Sequence, residues 1–276
     1  MRSKAVRRSL AAFLVLGLIM TTGASAAADV DPALSAVIAG DHRSGANKAR
    51  DQFRHPAETL TFFGLKPDMR VVEVWPSAGW YSEILGPYLA KSGKYYAAGW
   101  DPDSKIEFIR RGIKAFADKL AARPDLYAGA EMTVLSFPDK TAIAPAGTAD
   151  MVLTFRNIHN WMGGGNAETA FAAMYAALKP GGVLGVVEHR ARPEAPQDPR
   201  AASGYVREDY AVELAKKAGF VLEASSEINA NPKDTRDYEK GVWTLPPTYR
   251  EGEKDKEKYA AIGESDRFTL RFRKPR

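Results

Sequence analysis

From Arg70 to Arg273 the chain alternates short apolar runs of strand character with stretches of helical spacing. No other feature constrains the fold as much. The predicted strands are Arg70–Val74, Lys94–Trp100, Glu131–Leu135, Ala149–Phe155, Val183–Glu188, Phe220–Ser226 and Arg267–Arg273. The predicted helices between them are Trp80–Ala90, Ser104–Ala122, Glu168–Leu178 and Val206–Ala218. Arg70–Val74 is apolar apart from its first residue and Glu73, as parallel strands covered on both faces are. In Ser104–Ala122, Ile106, Ile109, Ile113, Phe116 and Leu120 recur at helical spacing. Such alternation predicts an α/β fold with a doubly wound, mostly parallel seven-stranded sheet. No core helix separates Phe220–Ser226 from the final strand, which predicts a hairpin-like, antiparallel last strand.

The segment ahead of the first strand contains short helices, Asp31–Gly40 and Ala57–Phe63, around a polar stretch with His42, Arg43, Arg54 and His55. Residues 29–65 are therefore read as an N-terminal helical or lid segment, and residues 66–276 as the α/β domain. Residues 229–264 break the alternation and form an insertion before the last strand. Its charged run, Arg250–Lys258, reads as a solvated face.

The net charge is +5. A basic excess often points to nucleic acid or an anionic membrane. Here four of the 39 basic residues, Arg2, Lys4, Arg7 and Arg8, lie in residues 1–28, which hold no acid. The remaining 35 face 34 acids, so no nucleic-acid partner is expected. The basic start, the apolar run Leu10–Met20 and the small residues Thr21–Ala28 have the form of a secretory signal peptide. Cleavage is expected near Ala26 or Ala28, leaving an exported, periplasmic protein without a stable membrane anchor. Arg7-Arg8-Ser9-Leu10 also has the twin-arginine form, with Leu10 where Phe is usual. The chain has no cysteine, so its core must hold it without disulfides.

In an open α/β sheet, ligands bind beyond the carboxyl ends of the strands. The first such tip is Glu73–Tyr81, a tight turn into a helix that offers backbone N–H groups to a polar ligand. The second is Asp101, 28 residues after Glu73 and suited to accepting hydrogen bonds from ribose hydroxyls. It also suits a turn or helix cap in Asp101-Pro-Asp-Ser104. The fourth tip, Arg156–Trp161, is polar and aromatic, and His159 there suits a general base. Asn157 and Asn160 suit orienting roles, and Trp161 a pocket wall. The fifth tip carries Glu188, His189 and Arg190. Strands four and five are expected to be neighbours, which brings His159 and His189 together. With Glu188 they open a metal reading, but no tight ligand spacing supports it and no metal is expected. Tyr205 and Tyr210 follow strand five and are read first as structural. Gly163–Gly165 is a flexible loop, not a phosphate loop, because no Gly-Lys-Ser/Thr follows.

Several stretches carry a resemblance: Arg54-His-Pro-Ala-Glu-Thr-Leu60, Val72-Glu-Val-Trp-Pro-Ser-Ala-Gly-Trp-Tyr81, Asn157-Ile-His-Asn-Trp161, Leu178-Lys-Pro-Gly-Gly182 and Ile262-Gly-Glu-Ser-Asp-Arg267. Through them the span from about Asp41 to Pro275 resembles a class I S-adenosylmethionine-dependent methyltransferase. More narrowly it resembles an exported bacterial group described as predicted methyltransferases. The resemblance implies S-adenosylmethionine as cofactor, contacted by Glu73, Ser77, Ala78, Gly79, Trp80, Asp101 and Arg156. It implies His159, Asn157 and His189 as catalytic residues acting on a small-molecule substrate. One departure stands out. The broad class reads acid-x-Gly-x-Gly-x-Gly in the first loop, and here Trp75 and Ser77 occupy the first two glycine positions, with Gly79 as the third. Glycine serves there because it takes positive φ without cost and lets backbone approach a ligand.

Three readings follow. One is methyl transfer to a small molecule, with the cofactor across Glu73–Tyr81 and Asp101. The second is a small-ligand-binding module that has lost the cofactor. The third is an acid–base or metal enzyme using His159, His189 and Glu188. Trp75 and the export signal weigh against the first, since the cofactor is made in the cytoplasm. Asp101 and the extent of the resemblance weigh for it.

Overall fold

The computed structural model describes residues 29–276; the segment expected to be a signal peptide, residues 1–28, lies outside the described residues. A seven-stranded sheet runs through the molecule in the order β3-β2-β1-β4-β5-β7-β6. Its strands are β1 (Arg70–Val74), β2 (Lys94–Gly99), β3 (Ala130–Val134), β4 (Ala149–Phe155), β5 (Leu178–His189), β6 (Val221–Ser226) and β7 (Arg267–Arg273). Pairings among β1 to β5 are parallel. β7 wedges between β5 and β6 and is antiparallel to both. The doubly wound, mostly parallel sheet with its reversed last strand is thus observed as the sequence predicts.

Two apolar layers sandwich the sheet. One face packs Leu34, Leu60, Phe63, Ile84 and Leu85 from α1 (Pro32–Ala39), α4 (Pro56–Phe63) and α5 (Ser82–Leu89) against Val71, Leu153 and Val187. The other packs α8 (Ile158–Gly163), α9 (Ala167–Ala177) and α10 (Glu208–Lys217) against Val72, Val152, Leu184 and Leu270. Alternate residues of each strand thus feed opposite layers, as strand geometry requires. The segment before β1 also contains α2 (Gly45–Lys48) and α3 (Asp51–Arg54). It is bonded to α5 and to the turn before it: Tyr88 OH donates to Asp31 at 2.7 Å, and Trp80 Nε1 donates to Asn47 O at 3.1 Å. Residues 29–65 therefore complete one face of the core.

Two local readings change. The long helix predicted over Ser104–Ala122 starts later, as α6 (Glu107–Ala121), and Ile106 is 59% exposed. The turn Asp101–Ser104 holds the chain off the helix, with Ser104 N bonded to Asp101 O. A further turn, α7 (Pro124–Tyr127), precedes β3. The Lys179–Gly182 bend lies inside β5, because Leu178 already pairs with Ala149 before the register shifts. The insertion contains a 3₁₀ turn (Gly241–Thr244) and α11 (Lys256–Ile262), and it folds back over the tips of β4 and β5.

Candidate functional site

The loop after β1 keeps a glycine's backbone without the glycines. Trp75 has φ 48°, Ser77 φ 54° and Gly79 φ 80°. All three lie in the left-handed region, which costs a non-glycine residue on the order of 1–2 kcal/mol. Only at Gly79 does space also forbid a side chain, since a Cβ there would meet Phe116 at 2.8 Å. The Trp75 indole turns inward. Its Nε1 donates to Leu135 O at 2.9 Å, and its ring packs beside Trp100, Phe137 and Trp161. Those contacts help to offset the backbone cost, because even a half-buried indole packs a large apolar area.

Beside this loop, at the carboxyl ends of β1, β2 and β3, lies an apolar cleft of about 130 Å³. Trp75, Trp100, Ile113, Phe116 and Met132 line it, with Pro76 and Ser77 at the loop side. Asp101 stands next to it in sequence. Its carboxylate accepts from Lys140 Nζ at 2.8 Å and from Asp103 N at 3.0 Å. The Lys140 hydrogen bond holds the Asp101 carboxyl below its usual range.

The tips of β4 and β5 form a different environment. Glu188 is fully buried and accepts four hydrogen bonds. Ile158 N (2.6 Å) and His159 N (3.3 Å) donate to one oxygen. His189 N (2.8 Å) and His159 Nδ1 (3.1 Å) meet the other. A carboxylate only accepts, so Nδ1 of His159 carries the proton and Nε2 is left with a free lone pair. His189 Nδ1 bonds Ser265 Oγ at 2.5 Å, and the two imidazoles lie 5.4 Å apart. Burial above all, with nearby cations such as Arg267 and Arg156, holds His189 well below its ordinary pKa, so it is neutral. Trp243 of the insertion closes over His159 at 5.9 Å.

His159, Glu188 and His189 bring potential ligand atoms within 4.8 Å of one another. A cation there would have to displace N–H groups from Glu188, whose acceptor positions are already taken. The arrangement fixes the orientation of the His159 imidazole through Nδ1.

No protein-family model matches the chain, and no curated protein sequence matches it. Solved structures do. A SAM-dependent methyltransferase from Aquifex aeolicus is 17% identical over 82% of this chain and 93% of the other, with a TM-score of 0.55. The [4+2]-cyclase SpnF is 18% identical over 88% and 92%, also at 0.55. A putative sarcosine dimethylglycine methyltransferase from Galdieria sulphuraria is 13% identical over 83% and 86%, again at 0.55.

The chain has the class I methyltransferase fold.

Within that fold the sequence-predicted residues separate. Ser77 and the neighbouring Trp75 and Pro76 line the cleft. Ala78 and Gly79 are beside them, with their carbonyls pinned by Lys119 Nζ at 3.0 and 3.4 Å. Glu73 and Trp80, expected from the resemblance to contact the cofactor, do not line this cleft. Glu73 points into the core beneath α5, where Ser82 Oγ (2.7 Å) and Tyr95 OH (2.6 Å) donate to it. Burial raises its pKa to about 7 despite those hydrogen bonds. Trp80 packs under the pre-β1 segment, with Arg54 4.7 Å and Arg43 5.0 Å from its ring. Arg156, at φ 61°, turns away from the cleft and joins a cluster of arginines at the β4 tip.

His159 and His189 do come together, as strand neighbourhood predicts. Asn157 is a brace between β4 and β1: its Nδ2 donates to Val74 O at 2.9 Å and to Thr154 Oγ1 at 3.2 Å. Trp161 is a core residue, 1% exposed. Tyr205 OH is bonded to both Asp234 oxygens at 3.0 Å, fixing the insertion to the domain.

Sequence reasoning missed the residues at the end of the insertion. Glu264 accepts from Arg50 Nε (2.5 Å), Arg54 Nε (3.1 Å) and Arg267 Nη2, while Ser265 holds His189. The signal was present in the quoted stretch Ile262–Arg267, which was used only for its resemblance.

Proposed function

We propose that the chain is an exported S-adenosylmethionine-dependent methyltransferase acting on a small molecule. The observation that carries the reading is the first loop. Its backbone keeps the left-handed conformation at Trp75, Ser77 and Gly79, although two of these residues are poorly suited to it. The Trp75 ring, the main obstacle expected from the sequence, is tucked against Leu135 and Trp161 and serves as a wall. The residues present therefore fit an adenosyl group. Trp100, Ile113, Phe116 and Met132 would enclose a flat ring, and Asp101 would exchange the exposed Lys140 for ribose hydroxyls. When bound, the cofactor supplies an electrophilic methyl group.

The rest is done by the chain. His159 accepts the proton released by a hydroxyl or amine acceptor at Nε2. Glu188 fixes the ring through Nδ1 and stabilises the imidazolium that forms. His189, neutral and held by Ser265, packs beside it. Trp243 and the insertion keep water from this half. The fold alone does not choose the reaction, as the cyclase among the similar structures illustrates.

Calorimetric titration of the mature protein with S-adenosylmethionine and S-adenosylhomocysteine tests the reading, with Asp101→Ala as control. Micromolar binding that is lost in the variant supports it. No heat and no thermal shift at millimolar ligand sinks it.

A further inference from the structure

Beside the imidazole pair lies a pocket whose charge is not balanced. Arg50, Arg54, Arg156 and Arg267 all approach one carboxylate, Glu264, with Arg156 Nη1 at 4.0 Å. The side chains of Arg54, Arg267 and Glu264 are only 2–3% exposed. Uncompensated buried charge costs several kcal/mol, so a surplus of cations calls for a further anion.

The donors are also left over. Arg54 Nη1 and Arg267 Nε are shut from solvent and have no hydrogen-bond acceptor among the described residues. Both arginines line one small cavity with Arg156 and Asn229, and its volume is about 10 Å³. That is about the room of one water molecule or of a single ligand oxygen. The Trp80 ring relieves part of the Arg54 charge but accepts no N–H in the plane of the guanidinium. Burial and the neighbouring cations lower the pKa of Arg156 to about 10 and hold Arg54 well below its usual range. At Asn229 the cavity adjoins a larger one of about 240 Å³, bordered by His55, Lys233 and Ile262.

We infer that this pocket is a carboxylate receptor that seats the anionic group of the methyl acceptor close to His159. The assignment to the acceptor rests on the methyltransferase reading; the receptor itself does not. Guanidinium is the group suited to it, since its planar fork matches a carboxylate. Arg156 is only three residues from His159, and its side chain is 24% exposed, so it stands at the mouth while Arg54 and Arg267 form the floor. The larger cavity has room for the ligand's body.

Acetate is the probe. The thermal midpoint of the mature protein is followed against acetate at fixed ionic strength, where binding to the native state gives a saturable rise. Arg156→Gln is expected to weaken acetate by about tenfold, the worth of one charge-assisted hydrogen bond. Arg54→Lys keeps the charge but loses the fork, and is expected to weaken it as well. It serves as the second variant if Arg156→Gln does not fold. A flat response, or an equal response in every folded variant, overturns the receptor. The titration is then repeated with saturating S-adenosylhomocysteine. Unchanged acetate affinity supports the acceptor assignment. Competition overturns it, because the pocket would then take the cofactor's own carboxylate. Acetate binding by a protein that ignores S-adenosylhomocysteine rejects methyl transfer and leaves the receptor standing.

Discussion

Two buried glutamates sit in the two halves of the cleft end and are handled in opposite ways. Glu73, at the β1 tip, is 3% exposed and meets only hydroxyl donors. Burial dominates, and its pKa rises to about 7. Glu264, equally buried, lies among arginines. Burial opposes its ionisation, yet the charges of Arg267 and Arg54 and the hydrogen bond from Arg50 outweigh that and hold it well below the usual carboxylate range. The first half solves the problem of a buried acid with a proton, the second with cations. The half built from β1, β2 and β3 is accordingly apolar and suited to a flat ring. The half built from β4, β5 and β7 holds buried charge.

The largest expected effect tests the charged half. Glu264→Leu removes the shared counter-ion of the arginines and should destabilise the protein by roughly 3–5 kcal/mol. Chemical denaturation measures this. A loss below 1 kcal/mol would mean that the arginines are compensated by solvent and that the two halves do not differ as described.

Next comes the proton held by Glu73. In the native state it binds a proton between its unfolded value of 4.5 and about 7, so stability should fall as pH rises through that window. The total change is roughly 3 kcal/mol. Glu73→Gln should abolish this term. His189 acts in the opposite sense: its native pKa is lowered, so its contribution is present above 6.5 and is lost as pH falls. His189→Asn should therefore make stability fall more steeply with rising pH, and Glu73→Gln should make it rise. Equal pH profiles for the two variants would break the comparison.

A smaller effect sharpens the apolar half. Trp75→Ala and Trp75→Gly both lose the indole contacts, but glycine tolerates the left-handed backbone. Trp75→Gly should be the more stable of the two by about 1 kcal/mol. Both should weaken S-adenosylhomocysteine if Trp75 walls its cleft; tighter binding would show that the ring obstructs it. The smallest stability effect is expected for Asp101→Ala, which should leave the thermal midpoint unchanged while changing ligand affinity.

The sheet was largely legible in the sequence because each buried strand is a continuous apolar run bounded by turn residues. Val71, Val72 and Val74 announce β1 without help from the rest of the chain. The meeting of His159 and His189 was legible too, since it needs only the neighbourhood of β4 and β5. Two things were not. The direction of the Trp75 side chain depends on Leu135, Phe137 and Trp161, which lie far along the chain. The arginine pocket draws on residues 50–54, 156 and 264–267, and in each segment the charges look like ordinary solvated surface. Only the tertiary fold reveals that they share one carboxylate.

The position of β7 sets an order of construction. The apolar half draws its lining from residues 75–134, with Leu135, Phe137 and Trp161 setting the Trp75 ring. The charged half must wait for Glu264, Ser265 and Arg267, and for a strand that enters between two others already made. Pairings over such sequence distance close slowly. As the chain emerges or refolds, the apolar cleft can therefore form while the charged half is still open. A chain ending before β7 would keep every lining residue of the apolar cleft and lose both Arg267 and the strand that β6 pairs with.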